Sequence, residues 1–195
     1  LWLMLSSLKG RADLFAMPPK LVFTPDISGY QSVFGLGAAK DSASSVGVFD
    51  SLVTSVLVST IGTSLAVILG TLAGYVCSRF EFRGKGAIMG LIMLPLVMPE
   101  IIISVSLLVV LLSLGVQLSI LTVIVGHTLV CMPYATVILS TAFNSLDRSL
   151  EEAAYDLGET KWSAFRLVIL PLVMPGVISS LLMSFTISLD EFIIA

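Results

Sequence analysis

Three long stretches of the chain contain no aspartate, glutamate, lysine or arginine: residues 51–78, 101–146 and 167–189. About 20 apolar residues cross the core of a bilayer, so Ser51 to Ser78 and Leu167 to Leu189 each read as one span. The middle stretch would reach roughly 70 Å as a helix at about 1.5 Å per residue, too far for one crossing. Its break is expected at Leu114-Gly115-Val116-Gln117, giving one span from about Ala87 to Leu112 and another from about Leu118 to Leu139. Within the first span Gly62, Gly70 and Gly74 fall at spacings of eight and four, which puts small residues on one face where another helix can approach closely. Before it the pattern changes. Residues 1–5, LWLML, are too short to cross anything, and Lys9 to Asp50 is polar and punctuated by Pro18, Pro19, Pro25 and glycines, as in a water-exposed extension with little regular structure. The expected organisation is a truncated first helix and outer segment over residues 1–50, then a membrane core over 51–195 with a cytoplasmic loop at 144–170. The expected fold class is an all-α integral membrane protein, a helical bundle incomplete at both ends.

Composition strengthens this reading: 56% of residues are hydrophobic and 12% charged, with a mean hydropathy of +1.05, whereas about 25% of an average soluble domain is charged. The net charge of -3 sits in loops, and nothing suggests nucleic-acid binding. Cys77 and Cys131 lie in or beside apolar runs and read as small buried hydrophobes, with no disulfide framework. Arg79, Arg83, Lys85, Arg148, Lys161 and Arg166 mark the loops on their side of the membrane as cytoplasmic.

The longest charged interval inside the core, Ser149 to Pro171, carries the clearest local signals. Ser149 and Glu152 have the spacing of a capping box, Gly158 can end the helix they start, and Thr160 can cap a second helix running to about Val168. Pro171 is expected to separate that helix from the last span. Glu151, Glu152 and Asp156 then leave a negative flank beside Ala153 and Ala154, either a solvated loop or a surface made to enter a groove on another protein. The order Glu152-Ala153-Ala154, three residues, Gly158, nine residues, Val168-Ile169-Leu170-Pro171 resembles the EAA motif of ABC importer permeases, EAA-x3-G-x9-I-x-L-P, with valine for its isoleucine. The likeness extends from the Arg79 loop to the last residue. It implies a permease that is not itself an enzyme, in a bacterial inner membrane. Glu152, Ala153, Ala154, Gly158, Leu170 and Pro171 would form the coupling element against an ATP-binding subunit dimer. It also implies a second permease subunit, a periplasmic solute-binding protein, a lipid surround, and ATP and magnesium held only by the ATPase. In agreement, the chain has no G-x-x-x-x-G-K-[ST] phosphate loop, and Phe82-Arg83-Gly84-Lys85 lacks the glycine-rich cradle.

Cargo is addressed by carboxylates near the apolar runs. Glu100, beside Pro95 and Pro99, is expected roughly 20 Å into its helix, where a carboxylate is a functional candidate because its desolvation is costly. Asp190 and Glu191 stand near the outer end of the last span. Met98-Pro99-Glu100 and residues 184–191 are similar to the spermidine/putrescine type of permease, and acidic residues along a path suit a polyamine. The segment SLKGRADLFAMPPKLVFTP is similar to the outer part of sugar-importing permeases, which makes a sugar the alternative cargo. A secondary transporter or channel would need a complete path in one chain. An intramembrane enzyme using His127, Glu100 and Asp190 would need a local ligand or acid–base motif, and their spacing supplies none for a metal or for catalysis. His127 is expected to make a hydrogen bond between helices, and Trp2, Tyr134 and Trp162 to anchor or pack.

Overall fold

We describe the protein from a computed structural model, which describes residues 2–17, 22–33, 48–191 and 194. Contacts divide the chain into two units after Ser55. Among the described residues of the first unit three short helices appear, α1 (Trp2–Ser7), α2 (Arg11–Leu14) and α3 (Ser28–Val33), more regular structure than the punctuated sequence predicts. They are tied locally. The Asp26 amide donates to the Leu8 carbonyl at 2.8 Å, and Tyr30 donates its hydroxyl proton to Ser7 Oγ at 2.7 Å. The Pro18-Pro19 step and the Lys40-Asp41 stretch lie outside the described residues.

The membrane helices follow the uncharged runs. Helix α4 (Val48–Arg79) contains the first predicted span. The predicted crossing from Ala87 to Leu112 is not one helix but two, α5 (Lys85–Val97) and α6 (Glu100–Ser113), bent by 111° at Met98-Pro99. The cause is local. Proline has no N–H to continue the ladder, and it pushes the preceding residue out of the helical region; Met98 accordingly adopts φ -87°, ψ 141°. The chain then turns at residues 114–119, where the predicted break falls, and runs through α7 (Ile120–Asn144). A short helix α8 (Ser149–Asp156), another, α9 (Lys161–Ala164), and a wide π turn (Phe165–Ile169) lead into α10 (Leu170–Asp190). No strand occurs among the described residues.

The glycine face of α4 meets α7. A Cβ on Gly62 would lie 3.1 Å from His127 Cβ, one on Gly70 2.8 Å from Ala135 Cβ, and one on Gly74 3.0 Å from the Ser140 amide. Partner numbers rise in step, so α4 and α7 run parallel. Helix α10 runs antiparallel to α7, since His127 pairs with Ser188, Cys131 with the Ser184 carbonyl, and Gly176 lies against Ala142. Val67, Ala135, Leu139, Phe143, Ile169 and Val173 form the buried apolar cluster where the three meet.

This arrangement decides what the bent pair is. The C-terminal ends of α4 and α7 lie at one end of the bundle, because Arg79 reaches the Leu146 carbonyl. A chain that leaves α4 at that end and returns to it along α7 has to reach the opposite end in between. Helices α5 and α6 are therefore one broken span, and among the described residues α4, α7 and α10 are the three continuous ones. Since Gly70 has no room for a side chain, Gly70→Val is expected to cost about 1–3 kcal/mol by overpacking. Gly90→Ala, inside α5 with nothing within 4 Å of its Cβ, should cost nothing and gain up to about 1 kcal/mol, alanine being the better helix former; unfolding in detergent measures both.

Candidate functional site

The interval from Ser149 to Pro171 is built on the end of the bundle that carries Arg79. Its first helix starts one step earlier than the Ser149/Glu152 capping box predicts. Ser149 is already helical, and the acceptor at the free end is the Asp147 carboxylate, whose Oδ1 takes the Ser149 N–H at 3.0 Å. The Leu150 amide donates to the Asp147 carbonyl, so the opening turn is tight. The Ser149 amide, and after it the Ser149 hydroxyl, hold the Asp147 carboxyl below its ordinary value of 3.8.

Gly158 ends α8 as predicted. Its φ is +86°, a conformation that costs an L side chain about 1–2 kcal/mol. The Gly158 amide donates to the Tyr155 carbonyl at 2.9 Å and the Glu159 amide to the Ala154 carbonyl at 3.1 Å. These two bonds satisfy carbonyls that a helix end leaves open. Thr160 then caps α9 as expected, accepting the Ser163 N–H at 3.3 Å. Pro171, by contrast, does not separate α9 from the last span. Residues 161–190 form one continuous helical run, because the π turn widens the coil just ahead of the proline and the Leu170 N–H reaches back five residues to the Phe165 carbonyl. The ring of Pro171 would otherwise press on the carbonyl four residues back, that of Leu167.

The motif alanines take different positions: Ala154 is buried and Ala153 exposed, with Glu152 and Gly158 also exposed. Leu170 is half-buried and Pro171 exposed at the start of α10. Of the acids expected on the outer flank, Glu151 turns inward instead. Its Oε1 lies 2.7 Å from Arg79 Nε, and the two side chains are only 13% and 6% exposed. Arg79 also donates from Nη1 and Nη2 to the Leu146 carbonyl, at 3.4 and 3.3 Å. Beside this pair the Tyr75 ring packs edge-on against Phe80, Phe143 and Phe165, with centroids 6.1, 5.4 and 5.0 Å away. A cavity of about 250 Å³ opens here, lined by Tyr75, Arg79, Arg148, Glu152, Tyr155 and Lys161 among others. The outer face of α8 and its turn presents Glu152, Asp156 and Leu157, the last 86% exposed, and beyond it stands Trp162, 69% exposed.

The sequence marks Arg79 only as a basic residue flanking a span. Its partners follow in α8 and at the end of α7, too distant in sequence for any local pattern to show. Asp147 was visible: an aspartate directly ahead of a helix start is itself a capping signal, and it competes with Ser149 for that role.

The other predicted residues are dispersed. Glu100 is exposed and opens α6 at the elbow, at the first turn of a new helix instead of deep inside one. Asp190 closes α10 at the end away from Arg79, and Glu191 follows it, accepting the Ile194 N–H at 3.3 Å. A cavity of about 400 Å³ between α6 and α7 is lined by Ser104, Leu108, Leu111, Leu118, Thr122, Ile194 and other uncharged residues, so it offers no carboxylate to a cation. His127 is buried and shares a hydrogen bond of 2.6 Å with Ser188, joining α7 to α10 as expected. Cys77 and Cys131 are buried and free. Among the described residues no three His, Cys, Asp or Glu side chains gather as a metal site would need.

Residues 66–195 match the family model described as binding-protein-dependent transport system inner membrane component. The chain is 37% identical over 141 residues to the spermidine/putrescine transport system permease protein PotC of Haemophilus influenzae, covering 72% of this chain and 55% of that protein. It is 39% identical over 148 residues to the putrescine transport system permease protein PotI of Escherichia coli, covering 72% and 53%. A probable molybdenum ABC transporter permease protein of Haloferax volcanii is 35% identical over 153 residues, covering 74% and 57%. The chain thus spans little more than half the length of these relatives. With a family match across most of the chain, including the capped helix, its glycine turn and the last span, the protein belongs to the binding-protein-dependent transport system inner membrane components.

Proposed function

We propose that the protein is a permease subunit of an ATP-driven importer, that its cargo is a polyamine, and that the element from α8 to α9 couples it to the ATPase. The observation that carries this reading is the outward face of α8, with Glu152, Asp156 and Leu157 exposed on a short helix fixed at both ends. A helix held in this way moves as a unit, so displacement by a partner passes directly into α7 and α10. The basic residues around it support a cytoplasmic position for that end of the bundle. There an ATP-binding subunit dimer, carrying the ATP and magnesium, would receive α8 in a cleft. Glu152 would meet a basic residue of that cleft. A second permease subunit would complete the path, and a solute-binding protein on the outer side would deliver the cargo in a bacterial inner membrane.

The polyamine assignment draws support from the spermidine/putrescine and putrescine permeases among the relatives. Glu100, Asp190 and Glu191 are of the sign that a polyamine would need along its way. A neutral sugar could accept hydrogen bonds from none of them and could only donate to them, without the charge pairing that a polyamine would gain.

Coupling requires α8 to stay folded, which makes its cap a point of pH dependence. A depressed carboxyl stabilises the fold above its unfolded value, near 3.8, and that contribution disappears as pH falls through the lower folded value. Asp147→Ala should therefore raise amide exchange in the first turn of α8 at pH 7. Asp147→Asn, still an acceptor, should not, and should lose the acid dependence. Gly158→Asp is expected to leave the protein inserted but to abolish uptake while ATP hydrolysis continues; normal uptake would refute the coupling role. For the cargo, labelled putrescine should bind the partner solute-binding protein, and Glu100→Gln should lower uptake several-fold. Binding of sugars in place of putrescine would reverse the assignment.

A further inference from the structure

Helix α8 is joined by the chain to α7 and, through the turn at Gly158, to α9 and α10. Those spans follow its movement without any special contact. Helix α4 has no such connection: it ends at Arg79 and the chain leaves toward α5. Yet Arg79 holds two separate points of the α7–α8 connection at once. Its Nη1 and Nη2 donate to the Leu146 carbonyl just after α7, and its Nε stands 2.7 Å from the Glu151 carboxylate in the first turn of α8. The first hold is a pair of hydrogen bonds and the second a buried ion pair at a distance without hydrogen-bond alignment, so the guanidinium bridges the two points and opposes their separation.

From this geometry, and resting on the coupling role proposed above, we infer that Arg79 is a positioning residue. Its pair with Glu151 ties α4 to the coupling helix, so that α4, α7 and α10 respond to the ATPase as one body.

Burial is what makes the pair suited to this. An exposed ion pair would exchange with water and hold little. Here both side chains are nearly out of solvent, so separating them leaves two desolvated charges and the link resists extension. Tyr75, one turn before Arg79, lies against Phe143 of α7 and Phe165 of the π turn. That apolar contact is expected to hold the helices together when the charge pair is removed. Assembly and transmission are thereby separable.

The test uses the complete transporter in lipid nanodiscs, with the ATP-binding subunits, the second permease and the solute-binding protein. ATP hydrolysis is measured with and without the binding protein, and subunit content by gel. Glu151→Gln keeps the shape of the side chain and removes its charge; Arg79→Met removes the fork. In both, stimulation by the binding protein should fall about fivefold or more, the scale of a typical coupling between sites, while the ATP-binding subunits remain in the complex. Undiminished stimulation in these variants would overturn the inference. Loss of the ATP-binding subunits from both would overturn it too, because the pair would then serve assembly. Gly158→Asp measured alongside separates the two readings: if it also keeps full stimulation, the coupling role of the loop is what fails, and if it alone loses stimulation, only the role of Arg79 fails.

Discussion

The parallel approach of α4 and α7 is the constraint on which the other features depend. Two helices in a membrane gain little from hydrophobicity, since lipid is as apolar as their side chains, and their association rests on close packing and on polar contacts. Gly62, Gly70 and Gly74 supply the first. The Thr128 hydroxyl, donating to the Gly62 carbonyl at 3.2 Å, adds one of the second. Because the two helices run in the same direction, their C-terminal ends come to the same end of the bundle. That places Arg79 within reach of the chain leaving α7. It also forces the intervening segment to cross to the other end and makes the bent pair a broken span.

A second consequence concerns the proposed coupling element. It is short and largely exposed, and an isolated helix of its length would not persist in water. Its order comes from its ends and its buried flank: the Asp147 carboxylate at the start, the Gly158 turn at the finish, and Ala154 against the bundle. The buried alanine explains why a small residue is needed at that point. Its neighbour Ala153 is left exposed, where a small side chain allows a partner surface to come close.

The all-α membrane fold was legible because it depends on long uncharged runs, and the turn at Gly115 because helix ends of that kind need a glycine. The stripe of α4 was legible as a packing face, and its partner was not, since nothing in the spacing of three glycines says which helix meets them. Local competition accounts for the misplaced boundaries. Ser149 and Asp147 both can cap a helix, and the outcome depends on how the chain leaves α7. Pro171 usually ends a helix, but a π turn ahead of it accommodates the ring. Pro99 falls inside the crossing expected from about Ala87 to Leu112, whereas its restriction on Met98 turns the chain by 111°. The inward turn of Glu151 follows from tertiary structure alone, because nothing local distinguishes it from Glu152.

In the proposed reading the outer face of α8 lies in the cytoplasm, facing an ATPase. The most direct measurement puts a photo-activated cross-linking residue at Leu157, in the turn after α8, and in a separate variant at Leu118, in the loop before α7, within intact membranes. The account predicts that position 157 captures the ATP-binding subunit and position 118 does not. Capture of that subunit from position 118, with none from position 157, would contradict it.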